Sequence, residues 1–303
     1  QIQITITERH HMSVINFNNI TKRFGKVTAL ENVSFNVEAG TVFALLGENG
    51  AGKTTSIKTL LGLVKPDSGT SSVLELDCLK DDLQIRRRVG YVPEMPVLYD
   101  WMTAAETGRF AAAFYPTGYL AKFIELLNGY QIDQQAKIGT LSKGQRAKVS
   151  LALALSHDPE LLILDEPTSG LDALVRQEFL TSMIDRAANG KTVFLSSHQI
   201  AEVERVADTV AILKKSKLLL VEPMNELKER TRVLTISYQE TPTQSAALFA
   251  TVIQSKTDGR EQRILGQDLK DNAEHILRND AAITKYELRS ASLEEIFIGI
   301  MEG

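Results

Sequence analysis

The sequence is nearly devoid of cysteine. Cys78 is the only one in 303 residues, which excludes intramolecular disulfides and cysteine-rich zinc modules and suits a reducing compartment. Long apolar runs are missing too. The best candidates, residues 42–46 and 161–164, have the length of strands and fall far short of the roughly 18 residues a spanning helix requires. Any membrane role is therefore expected to be peripheral. There is no excess of positive charge: 34 Lys and Arg stand against 38 Asp and Glu, for a net charge of −4. The basic footprint of general nucleic-acid binding is lacking, and no nucleic-acid partner is expected. No internal repeat or low-complexity tract interrupts the chain. Residues 1–11 lack a signal-peptide pattern, and Met12 reads as a natural start, so residues 1–11 are read as a tag-like appendage.

What is present is the composition of a folded protein, 43% hydrophobic and 24% charged. Four short apolar runs, at 42–46, 161–164, 192–195 and 210–213, are flanked by Gly, Asp, Ser or Lys and read as buried strands. Between them lie segments of helical period, such as Ile57, Leu60, Leu61 and Val64. This alternation predicts βαβ units with a parallel sheet, an α/β fold class. From Ala104 to about Ser156 strand signals give way to alanine, leucine and polar residues, predicting a helical subdomain at about 95–157, closed off by Pro159. The main domain is thus expected at 12–220. Beyond Val221 the texture changes: alternation at 233–238, a helical stretch near 245–253 and more alternation at 283–288 predict a small C-terminal α+β domain at 221–303. Ser292 followed by Glu295 matches a capping box at the start of its last helix.

Gly47-Glu48-Asn49-Gly50-Ala51-Gly52-Lys53-Thr54 fits the phosphate-loop pattern, with an expected strand before it and a helix after it. Its glycines let the backbone turn so that N–H groups face phosphate oxygens, and the following helix adds about half a positive charge. Lys53 then reaches the β/γ-phosphates, Thr54 offers a hydroxyl to Mg2+ and Thr55 a further phosphate contact. A phosphate loop needs a metal partner on a neighbouring strand. The run 161–166 ends in Asp165, placed to hold Mg2+, and Glu166, placed to orient or deprotonate an attacking water.

Leu141-Ser142-Lys143-Gly144-Gln145, lying between those motifs and ahead of a helix, resembles the signature of the ABC ATPase family. Ser142 and the N–H groups of a helix start form a second anion site; in the family that site takes the γ-phosphate bound to the opposite subunit. Ser169-Gly170-Leu171-Asp172 is similar to the D-loop, His198 after Ser196-Ser197 to the switch histidine, and Phe24 to the aromatic that stacks on adenine. The resemblance spans about residues 13–220. It implies a P-loop ABC cassette with a RecA-like core, an antiparallel β edge and a helical subdomain. It further implies ATP and Mg2+ as cofactors, with catalysis by Glu166, His198 and Lys53. Nucleotide would be bound by Phe24, Gly47, Asn49, Gly50, Ala51, Gly52, Lys53, Thr54 and Thr55, and by Ser142, Gly144 and Gln145; the metal by Thr54, Asp165 and Glu94.

Two positions depart from the common family pattern. Glu94 stands where most members carry glutamine, and Lys143 replaces the first signature glycine. These, with Phe114-Tyr115-Pro116 and the terminal run 292–297, resemble bacterial type-2 ABC exporters, the group containing drug and antibiotic-response exporters. The implied partners are a second ATP-binding subunit and a transmembrane permease subunit, at the cytoplasmic face of the plasma membrane. Met95, Leu98, Tyr99, Trp101, Met102, Phe110 and Phe114 concentrate apolar groups in a short stretch, which suggests a groove for the permease's coupling helix. Arg86-Arg87-Arg88 reads as a solvated face. A non-transport ABC ATPase and an importer subunit remain as alternatives, and a phosphotransferase would leave the signature segment unexplained.

Overall fold

The computed structural model describes residues 13–240 and 248–302; the appendage at 1–11 lies outside the described residues. The chain opens with two long strands, β1 (Ser13–Phe24) and β2 (Val27–Glu38), followed by β3 (Val42–Gly47), α1 (Lys53–Leu60), β4 (Ser68–Val73), β5 (Leu76–Asp77), α2 (Asp82–Arg88) and β6 (Val89–Val92). Three helices come next: α3 (Ala104–Ala112), α4 (Tyr119–Gly129) and α5 (Lys143–Leu155). The chain then returns to the sheet through β7 (Leu161–Asp165), α6 (Ala173–Ala188), β8 (Thr192–Ser197), α7 (Ile200–Val206), β9 (Thr209–Lys214), β10 (Lys217–Pro223) and α8 (Met224–Arg230). It ends with β11 (Thr231–Tyr238), β12 (Phe249–Asp258), β13 (Glu261–Leu269), α9 (Ala273–Asn279), β14 (Ile283–Ser290) and α10 (Leu293–Glu302).

The central sheet runs β10-β9-β3-β8-β7-β6, parallel except for the terminal β10. Every residue of β3, β7 and β8 is buried. Helices cover both faces of such a sheet, which is why these strands read as unbroken apolar runs without alternation. An antiparallel sheet, β2-β1-β4-β5, forms the β edge. Rings of Phe17, Phe35, Phe43 and Phe194, drawn from β1, β2, β3 and β8, stack between the two sheets with centroids 4.8 to 5.9 Å apart. Each such pair adds about 0.5–1.5 kcal/mol beyond its burial.

α1 is shorter than its apolar spacing suggests. Gly62, at φ 68°, takes the left-handed position, and Leu63 N–H returns to Lys58 O, so the helix ends before Val64. The three helices α3 to α5 surround their own core of Phe123, Leu127, Ile138 and Val149.

The C-terminal sheet has the order β12-β13-β11-β14, all antiparallel. Here one expectation is corrected. The stretch read as helical near 245–253 is strand β12 from Phe249 onward, and residues 245–247 lie outside the described residues. Thr251, Val252 and Ile253 are β-branched, stiff in a helix and at home on a pleated surface, and Thr251 and Val252 pair with Gln267 and Gly266 of β13. Strand β10 also runs across the boundary expected at 220/221, staying paired to β9 as far as Pro223. The capping box opens α10: Ser292 Oγ accepts the Glu295 N–H at 3.2 Å, and Glu295 accepts the Ser292 N–H at 2.9 Å. Leu293 and Ile296 of α10 then join the cassette core beside Val203 and Val206 of α7.

Candidate active site

The loop from Gly47 to Gly52 links the buried end of β3 to α1. Gly52, at φ 115°, lies so close to β2 that a Cβ would sit 2.4 Å from Ala29 O. No side chain caps α1, and the first N–H groups of a helix have no partner within it, which leaves them for a ligand. Asn49, Gly50, Gly52, Lys53, Thr54 and Thr55 line a 420 Å³ cavity together with Val27, Thr28, Ala29, Glu94 and Glu166. Gly47 and Ala51 shape the loop without lining the cavity; Ala51 N–H bonds to Glu48 O at 3.1 Å.

The Lys53 ammonium is buried. It donates to Gly47 O at 2.7 Å and to Glu48 O at 3.2 Å, and lies 3.0 Å from Glu166 Oε1. Oε1 accepts no aligned hydrogen bond, so this contact is an ion pair alone. The other carboxylate oxygen faces His198: Oε2 is 2.7 Å from Nδ1 and accepts the His198 N–H at 3.3 Å. Glu166 holds this pose with a left-handed backbone, φ 48°, a conformation that costs about 1–3 kcal/mol and collects at functional sites. Ser196 supports it. Its hydroxyl donates to Asp165 Oδ1 at 2.6 Å and accepts the Glu166 N–H at 3.1 Å. Asp165 is buried beside the cavity and does not line it. Among the described residues no cluster of three or more His, Cys, Asp or Glu forms a metal cage.

Ser142, Gly144 and Gln145 stand apart from this cavity's lining. Ser142 caps α5 by exchanging bonds with Gln145, at 3.2 and 2.9 Å. Gly144 packs on Val175 of α6. Lys143 folds over Gly170 in the following turn, where its ammonium occupies the space a Gly170 side chain would need. Asp172 ends that turn by capping α6 through the N–H groups of Leu174 and Val175. Phe24 is exposed at the end of β1, with Lys22 Nζ 5.2 Å from its ring centre; Val27 to Ala29 of the next strand line the cavity, while Phe24 does not.

Of the apolar stretch, Leu98 packs into the helical core. Tyr99, Trp101, Phe110 and Phe114 remain exposed in consecutive ring contacts of 5.7 to 6.1 Å, with Met95 exposed nearby in sequence.

Sequence reasoning used Ser196 only to mark His198, giving it no role of its own, and did not single out Thr168 or Glu202. Glu202 of α7 is buried; it accepts the Thr168 hydroxyl hydrogen and pairs with Arg176 at 3.1 Å. On a helix a glutamate gives no sign of burial, whereas Ser196, two residues before His198, carries its signal in that spacing.

A family model described as ABC transporter matches residues 30–169. The chain is 31% identical over 307 residues to the bacitracin transport ATP-binding protein of Bacillus licheniformis, covering 96% of this chain and 98% of that protein. It is likewise 31% identical over 296 residues to a fluoroquinolones export ATP-binding protein of Mycobacterium tuberculosis, covering 95% and 93%. Among solved structures, an ATP-binding cassette described as a dimeric post-hydrolysis state bound to ADP and Pi superposes with a TM-score of 0.63 at 25% identity, covering 69% of this chain and 98% of that one.

Proposed function

The chain belongs to the ATP-binding subunits of ABC transporters, and from that premise we propose that it works as one of two cassettes that close around ATP to drive an export permease. The observation that carries the reading is the arrangement of Lys53, Glu166 and His198 beside the glycine loop. ATP phosphates would take Lys53 from Glu166. The freed carboxylate, still held by His198, then orients the attacking water and accepts its proton. Phe24 offers its exposed ring to the adenine, and the α5 start with Ser142, Gly144 and Gln145 faces the nucleotide of the other cassette.

The donors around Lys53 suit Mg2+. It is a hard cation, held by one or two carboxylates plus substrate phosphates more often than by an all-protein cage, and the Thr54 hydroxyl and Glu94 carboxylate line the cavity with Asp165 buried beside it. Thr54, Asp165 and Glu94 would hold it, and it would neutralise phosphate charge.

Export is supported by the names of the relatives. Among the described residues no helix is long and apolar enough to cross a membrane; the exposed ring cluster around Trp101 is the surface on which we place the permease, at the cytoplasmic face of the membrane.

Sizing in ATP, with hydrolysis followed against protein concentration, tests the reading. Wild-type specific activity should rise with concentration, and Glu166→Gln should lose hydrolysis yet accumulate as an ATP-bound dimer. A monomer whose specific activity ignores concentration and survives the substitution would overturn it.

A further inference from the structure

Helix α7 begins two residues after His198 and is gripped from two sides. On the cassette side Glu202 accepts the Thr168 hydroxyl hydrogen, and its other oxygen is 3.1 Å from Arg176 Nε. Thr168 lies in the turn that Glu166 opens, where Ser169 N–H bonds to Glu166 O at 3.2 Å. One buried carboxylate therefore ties together the two chain segments that meet at the Glu166–His198 contact.

On the other side Glu204 Oε1 lies 2.7 Å from Lys228 Nζ of α8 and accepts the N–H of Leu293, the first residue of α10, at 3.4 Å. Val203 and Val206 share a core with Leu293 and Ile296. Glu202 and Glu204 are two residues apart, roughly 200° around a helix of 3.6 residues per turn, so the two grips act on opposite faces of α7. The helix has seven residues and no side-chain cap. Such a length is far below the about 12–15 residues at which isolated helices become marginal in water, so packing alone decides where α7 lies.

We propose that α7 is the lever through which the C-terminal unit sets the geometry of Glu166 and His198, with Glu202 and Glu204 as positioning residues. The inference rests on the reading that this pair carries hydrolysis. Its content is that a contact made on the C-terminal sheet or on α10 reaches the reacting water through Glu204, α7 and His198, because displacements near 1 Å at a catalytic group cost about a hundredfold in rate.

A double-mutant cycle in the full chain tests it, using Glu204→Gln and Thr168→Val, each alone and with His198→Ala. The second variant replaces a hydroxyl by a methyl and cuts the cassette-side grip, and Lys228→Met, which releases Glu204 from α8 at a half-exposed position, stands in on the C-terminal side if Glu204→Gln fails to fold. Rates are read as single-turnover phosphate release, so that slow variants are still measured, beside KM and the affinity for a fluorescent ATP analogue. Each variant should lower kcat by about tenfold with KM and nucleotide affinity unchanged, and the loss should vanish in the His198→Ala background. Equal losses with and without His198, or no loss at all, would overturn the lever. His198→Ala hydrolysing at the wild-type rate would instead remove the histidine from the mechanism, and the lever with it.

Discussion

Lys53 and Glu166 neutralise each other at 3.0 Å with both groups buried, and that pair defines the electrostatic problem the site must solve when a triphosphate enters. Removing one partner of such a pair is far more costly than replacing both, because a lone buried charge remains. Glu94 poses the opposite problem. It is exposed in the wall of the same cavity and adds negative charge where phosphates are expected, which a divalent cation would absorb. Glu94→Gln is therefore expected to keep its kcat at saturating Mg2+ while responding less steeply to Mg2+ than the wild type. Parallel Mg2+ titrations of the two proteins check this, and superimposable curves would discard the role given to Glu94.

At the scale of elements, the start of α10 is held by charge. Arg289, the Ser292 N–H and Arg263 together hold the Glu295 carboxyl well below its usual 4.5, at about 2. A carboxylate whose folded value lies below its unfolded one contributes stability above the unfolded value, and that stability drains away as pH falls toward the folded value. Because the arginine partners are half exposed, solvent screening reduces the effect to an expected 1–2 kcal/mol, about the size of a strong cap. Urea unfolding of Glu295→Gln should show that loss at pH 7, and the gap to the wild type should narrow between pH 4.5 and about 2. This capping box was legible in the sequence because capping is local, two residues at a set spacing. The phosphate loop was legible for the same reason, as was the acidic end of β7. Elements without an unbroken burial pattern were not. The pairing of β1 with β2 is broken by register shifts, so neither strand alternates regularly along its whole length, and the strand at 249–258 was partly read as helix because beyond Phe249 it has no buried face whose alternation could mark it. Glu202 looked like a solvated helix charge, since its burial comes from Thr168 and Arg176, 34 and 26 positions away.

For the whole molecule, the four stacked phenylalanines join the antiparallel sheet to the central one, while α3 to α5 close on a separate core. The exposed rings lie on α3, just after it, and in the loop leading into it. Replacing Trp101 and Phe114 together by serine is expected to leave the isolated chain's hydrolysis within about twofold, as for surface positions generally, and to abolish recovery of the chain with its permease from membranes. Equal recovery would move the docking surface elsewhere. Trp101 is also the only tryptophan in the sequence and is 67% exposed. Under excitation selective for indole, the protein emits from this one spot, in water, with no buried indole beneath it to blur the signal. The chain carries its own optical probe of the docking face: emission that shifts to the blue on adding the permease reports contact, and emission that stays put while ATP binds shows that the face has not yet been covered.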